Sequence, residues 1–417
     1  MEIESLCPFQ AGAVLWEPRI GEHRLTVCAK ITLALAHGRT ASVAPAPQQI
    51  PLHDDLFWDR NTAGSLYAPS DFAPQKPRAD ILLVGHAHAP GGAPVTSLLA
   101  RLRVGSFVKA LHIDGDRVWT GAPEGLRPSP ARPFIAMPLR FERAPSGPMN
   151  PVGIDPAIQL GKPLANIFAV GEAKLDRGAP GFGPTSPAWR ARRFQHGLDI
   201  ARWTDAIRHD PGPAPPSLDL AFFNAAPLDQ QVDEIPAGAE IVLENLCPGV
   251  PILATRLPPL SPRAFRVSKA TGLSYEIPLR CDTLWIDGDR ALAVLCFRGV
   301  ADVNEPRSIG RVVIAVEPED RPEPIASSIA VEPLIQSPQP LPGDSQPRLD
   351  LRRTQPLAPP SQPLPGASPP RLDLRRTQPL GPPSQPLPGD SQPRLDLRRT
   401  QPLAPPHRNP GGEDDGT

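Results

Sequence analysis

The chain has 417 residues, with 43 Lys and Arg against 44 Asp and Glu and a formal net charge of −1 at pH 7. That balance argues against a nucleic-acid partner, which usually calls for a basic stripe. Hydrophobic content of 40% is enough for a folded core, and 61 prolines are far above ordinary usage.

The opening Met1-Glu2-Ile3-Glu4-Ser5 has neither the basic start nor the apolar run of a signal peptide. No window approaches the roughly 20 apolar residues of a membrane span. The expectation is therefore a soluble, cytoplasmic protein with no membrane partner. The cysteines Cys7, Cys28, Cys247, Cys281 and Cys296 form no CxxC pair. A zinc ribbon or redox motif has no support, and buried reduced thiols are expected.

Residues 1–316 are predicted to be one β-rich domain of sandwich-like antiparallel sheets, because short apolar runs recur between turn signals. Strands are expected around 25–33, 80–85, 97–104, 240–246, 283–287, 292–297 and 311–316. In the 98–104 run, Leu98, Ala100, Leu102 and Val104 share one face, while Arg101 and Arg103 take the other. Asp114-Gly115 and Asp287-Gly288 each read as a tight hairpin turn with positive φ. Residues 121–185 are dense in Pro and Gly and are expected to be ordered irregular backbone packed on the sheets. One main helix is predicted near 187–208, capped by Ser186 with Pro187 in its first turn and Trp189, Phe194, Ile200 and Trp203 on its apolar face.

Beyond Phe297 there is no further aromatic residue. Residues 317–338 read as a linker, 339–407 as three near-identical Pro-rich units of period 23, and 408–417 as an acidic C-terminus. Each unit offers too few leucines to offset backbone entropy, so a disordered tail is expected. Thr354, Thr377 and Thr400 each follow an Arg-Arg pair and are candidate phosphorylation sites, with a phosphothreonine reader as a possible partner. A duplicated spacer is the plainer reading of the same units.

Clusters of uncommon residues run through the first three hundred positions. They include Ser70-Asp71, Lys76-Pro77 and Asp80, then Gly115-Asp116-Arg117 and Met137-Pro138-Leu139 leading to Glu142-Arg143-Ala144. Asn150-Pro151-Val152-Gly153, Trp189 with Arg192, Phe222-Phe223-Asn224, Asp229-Gln230, Asp282-Thr283 and Arg298-Gly299 follow. In order and spacing over about residues 5–300 the chain resembles a bacterial family, domain of unknown function 2169, found in type VI secretion gene neighbourhoods. The resemblance implies an accessory protein that helps load effectors onto the secretion spike. The chain departs from the pattern at Pro145-Ser146-Gly147-Pro148 and at Gly197-Leu198-Asp199, which puts local loop shape in question.

No nucleophile–base–orienter set, no phosphate-cradling glycine loop and no cofactor motif is apparent. His86-Ala87-His88 would set two imidazoles on one strand face, a metal start that His53, Asp54 and Asp55 could complete; an exposed strand end is the plainer reading. Asp71, Lys76 and Asp80 could form an acid–base set, or instead a turn and an ion pair. Arg117, Arg140, Arg143, Arg192 and Arg298 could gather around Asp116, Glu142 and Asp229. The candidate binding residues are thus Asp71, Lys76, Asp80, Arg117, Glu142, Arg143, Asn150, Asn224, Asp229 and Arg298. The expected function is a non-enzymatic adaptor for a secretion effector or spike protein. The alternative is an enzyme acting on a small molecule or glycan through a pocket built from the 121–185 region.

Overall fold

The computed structural model describes residues 1–316, apart from 46–47, 123, 171–179, 191, 193–198, 201 and 204–211. The linker, the three repeats with Thr354, Thr377 and Thr400, and the acidic C-terminus all lie outside the described residues. The body is mainly β, as the apolar runs predict.

A seven-stranded sheet takes Gln231–Val232, Ala79–Val84, Arg280–Asp287, Leu292–Val303, Glu22–Ala34 and Gln10–Arg19 in that spatial order, with Ser42–Val43 added beside Glu22–Ala34. A five-stranded sheet runs Ile167–Ala169, Phe107–Asp114, Ser97–Val104, Glu240–Cys247 and Val250–Arg256, and a four-stranded one Glu2–Ser5, Ile309–Val316, Pro262–Ser268 and Ser274–Ile277. Most pairings are antiparallel, but Ala79–Val84 lies parallel to Arg280–Asp287, and Glu2–Ser5 parallel to Ile309–Val316. One continuous core joins the three sheets, with Val27, Ile31, Ile81, Leu284, Leu102, Ile241, Ile277 and Ile314 among its members. The 98–104 alternation holds: Leu98, Ala100, Leu102 and Val104 are buried, and the two arginines between them are half-buried.

Only one of the two Asp-Gly signals makes a hairpin. Asp287–Ala291 joins Arg280–Asp287 to its antiparallel neighbour Leu292–Val303, yet the positive φ falls on Ala291 rather than on the glycine. Asp114-Gly115 closes no hairpin; Phe107–Asp114 pairs instead with Ser97–Val104. Both glycines answer to close backbone approach. A Cβ on Gly115 would lie 1.9 Å from the Arg132 carbonyl oxygen, and one on Gly288 2.3 Å from that of Leu246.

Of the segment predicted as a helix, Arg190, Arg192, Asp199, Ile200, Arg202 and Trp203 are helical, and most of the remainder is outside the described residues. Ile200 and Trp203 pack with Trp16, Phe222 and Phe223 in a second buried cluster on the other side of the sheet. The 121–185 region carries short strands and a 3-10 turn at Phe141–Arg143. No described helix is long and apolar enough to cross a membrane.

Candidate functional site

The strand Glu22–Ala34 is buried along most of its length, so both of its faces are covered. One face is apolar: Leu25, Val27, Ala29, Ile31 and Leu33 enter the main core. The other carries Thr26, Cys28, Lys30 and Thr32, all buried. Register extends that polar face across the sheet, since residues directly opposite on paired strands share a face. Lys30 lies opposite Cys296, Cys296 opposite Thr283, and Thr283 opposite Asp80, a transverse row over four strands.

The loops that cover this row neutralise it. Lys30 donates to Asp71 at 2.6 Å, and the same carboxylate oxygen accepts the Leu52 N–H. Lys76 donates to Asp80 and to Thr283, both at 2.8 Å. Asp80 further accepts the Asn224 amide and the N–H groups of Ala225 and Ala226. Arg298 donates to Asp282 at 2.6 Å and to the carbonyls of Asp71 and Ala73. Burial opposes the Arg298 charge, but Asp282 and the neighbouring Cys296 and Cys28 raise its pKa above the usual arginine value. Asp71, Lys76, Asp80, Asn224 and Arg298 therefore meet in one network. Lys30, the partner of Asp71, carries no local cue in the sequence, because its role comes only from strand register.

The remaining motif residues lie elsewhere. Lys109 bonds Asp229 and Gln230, and desolvation of its buried ammonium lowers its pKa despite the Asp229 charge. Gln230 in turn donates to the carbonyls of Ile81 and Phe182, pinning the 182 segment to the sheet. Arg143 bonds Asp116 and Asn166, while Arg117 pairs with Asp114. Glu142 takes both the N–H and the hydroxyl of Ser65, and Asn150 donates to the carbonyls of Phe141 and Pro145. The expected arginine cluster around Asp116, Glu142 and Asp229 is thus not one cluster. Arg143 and Arg117 share the 114–117 stretch through Asp116 and Asp114, while Arg140 pairs with Asp59 and Arg298 with Asp282.

His86 and His88 do project together, but toward one carboxylate. His86 Nδ1 and His88 Nε2 each lie 2.8 Å from an oxygen of Asp289 in the 287–291 turn. His53 stacks on Phe72 instead, and among the described residues no group of three or more His, Cys, Asp or Glu has the arrangement of a metal site. The cysteines are free thiols, with Cys28, Cys247 and Cys296 buried.

Several openings adjoin these elements, a small one of about 20 Å³ at Lys30, Asp71, Thr283 and Cys296 included. One of about 480 Å³ lies by Arg266, Tyr275 and Glu305 at the four-stranded sheet. One of about 350 Å³ opens at Lys76, Arg280, Asp282 and Arg298. Another, of about 70 Å³, is lined by Met149, Thr185, Trp189, Arg192, Asn224 and Leu228.

This mainly β body, with its strongest motif residues spent on seating loops over a buried sheet face, is the class of protein the geometry defines. The chain belongs to the family of uncharacterized proteins conserved in bacteria called DUF2169, whose model matches residues 20–298. Neither the curated proteins nor the solved structures give a match to it.

Proposed function

We propose that the protein is a non-enzymatic adaptor that binds a type VI secretion effector or spike component in the bacterial cytoplasm. The observation that carries this reading is the fate of the motif residues. Asp71, Lys76, Asp80, Asn224 and Arg298 are each less than a tenth exposed and hydrogen-bonded to one another or to covering loops. Groups so paired serve the rigidity of a scaffold better than proton transfer to a substrate, which needs a group within reach of the reacting atom.

The enzyme alternative placed a pocket in the 121–185 region. The opening to which that region contributes Met149 and Thr185 is about 70 Å³, against roughly 300–1,000 Å³ for small-molecule sites. Asp71 and Lys76 face the sheet network, while Arg143 and Asn150 belong to the separate 114–166 loops, so the four do not line one cleft. The test is co-purification of the full chain from cells expressing a complete set of type VI spike and effector genes. Recovery of one of those proteins in stoichiometric amount is expected. Recovery of none, with the chain shown to be folded, overturns the reading.

A further inference from the structure

The four-stranded sheet ends in an open edge. Its order stops at Ser274–Ile277, which pairs on one side only, with Pro262–Ser268. Ser274, Tyr275 and Glu276 are exposed, and Ile277 is buried. In an antiparallel pair, alternate residues of each strand turn their N–H and C=O away from the partner, so this edge offers backbone groups outward. Edge strands are usually guarded by lysine, proline or a bulge. Ser274–Ile277 has none of these, and the charge of Glu276 is taken up by two 2.8 Å bonds from Arg263.

The other face of the same edge carries a charge that nothing neutralises. Ala264 lies opposite Ile277, and both belong to the main core. The next pair on that face is Arg266 opposite Tyr275, and both line the opening of about 480 Å³. The half-buried Arg266 reaches over the edge strand, its guanidinium 4.8 Å from the Tyr275 ring centroid. Among the described residues it makes no hydrogen bond and no ion pair. None of its nitrogens is a buried atom lacking a partner, so its N–H groups face solvent. A guanidinium stacked on an aromatic ring keeps its donor fork free for a carboxylate. Glu305 lines the same opening without pairing with Arg266, so a second acid is disfavoured on its side and the match is to one carboxylate beside Tyr275. Leu273, 58% exposed, stands two residues before Tyr275, and its carbonyl continues the ladder to Ser268.

We infer that Ser274–Ile277 receives an extended acidic segment of a partner polypeptide as an added strand, with one carboxylate of that segment bonded by Arg266. Main-chain bonds to the open edge supply attachment, and side chains at alternate positions supply selection. The residue beside Tyr275 is acidic, and the one two positions away, beside Leu273, is aliphatic. A second copy of this strand is a poor match, because its one acid, Glu276, is already held by Arg263. The identity of the polypeptide rests on the adaptor reading, to which this edge gives a docking surface.

The test uses the full chain and the end-blocked peptide acetyl-Val-Thr-Glu-Thr-Val-amide, whose symmetry serves either strand direction. A second peptide has Gln in place of Glu, and acetyl-glutamate amide presents the carboxylate alone. Calorimetry should find the Glu peptide about tenfold tighter than the Gln peptide, and the single residue weaker than the Glu peptide by at least as much. Hydrogen exchange of the 274–277 amides should slow at saturation, which contact with a lone carboxylate does not produce. Arg266→Gln, which breaks no hydrogen bond within the described residues, should keep the urea midpoint and abolish the preference for Glu. No binding at about 1 mM peptide, equal binding of the two peptides, unchanged exchange at 274–277, or a preserved preference in folded Arg266→Gln overturns the site. Protection of 274–277 without peptide, together with a concentration-dependent dimer, assigns the edge to a second copy and also overturns it. The two proposals fail separately: loss of peptide binding leaves client capture standing, and loss of client capture leaves the edge site standing.

Discussion

Asp80 and Asn224 are 144 positions apart in the chain and share a 2.9 Å hydrogen bond from the Asn224 amide to the Asp80 carboxylate. The same carboxylate takes Lys76 and the N–H groups of Ala225 and Ala226. One side chain therefore holds the start of a central strand, the loop before it and the loop some 140 residues later in a single arrangement.

Removing it leaves Lys76 as a buried charge without its partner, along with several unsatisfied donors. Asp80→Ala should destabilise the body by about 3–5 kcal/mol, read as a fall in the urea midpoint at unchanged slope. Asp302→Ala removes the exposed partner of Arg24 and should leave the midpoint unchanged within error. Equal effects of the two substitutions would contradict the structural role given to the buried network.

The Asp289 carboxyl predicts a pH dependence. Burial opposes its ionisation, but the hydrogen bonds from His86 and His88 and the His86 charge outweigh that and hold it well below the usual carboxylate range. A depressed folded pKa contributes stability that is present above the unfolded value of about 3.9 and is lost as pH falls toward the folded one. The stability difference between the wild type and Asp289→Asn should therefore be present at pH 5 and shrink progressively below about pH 4. A difference that stays constant from pH 5 to pH 2 would show that Asp289 is not held in this way.

Cys247 offers a chemical test of burial. Desolvation, reinforced by Asp289 and Asp287, pushes its thiol up to about 12, so it stays protonated at pH 8. Iodoacetamide on the native chain at that pH should leave Cys247 unmodified, while the denatured chain should be alkylated at all five cysteines. Native labelling of Cys247 at the rate of a free thiol, read by peptide mass spectrometry, would contradict the placement of this strand end.

The repeats carry their own prediction. If Thr354 is a switch, a peptide of residues 345–360 should bind a phosphothreonine reader only when that residue is phosphorylated. If the units are a spacer, deleting one should leave client capture unchanged. Native protein with Thr354, Thr377 and Thr400 unmodified under every growth condition removes the switch.

Which parts of this were legible in the sequence follows from the range of each interaction. Period-two alternation exposed the Leu98–Val104 strand directly, since its signal is local and one of its faces is buried. Lys76 and Asp80, four apart, could be paired on paper. The partnership of Lys30 with Asp71 could not, because it depends on where the covering loop lands. The Asp114-Gly115 signal misled for a related reason. Gly115 and Gly288 are small to let distant backbone pass, a demand with no local signature. Trp189 and Arg192 stood out as an uncommon pair near a helix start, but nothing nearby in the chain announced that Asn224 would share a cavity with them.

The central claim is binding without turnover, and one measurement addresses both halves of it. The purified chain is mixed with a captured secretion client, resolved by size-exclusion chromatography, and the client's intact mass is read before and after a long incubation. The account predicts a stable complex of defined stoichiometry from which the client emerges with its mass unchanged. Failure to form a complex, or a client covalently altered by the wild type but not by a folded Asp80→Asn or Lys76→Met variant, would contradict it.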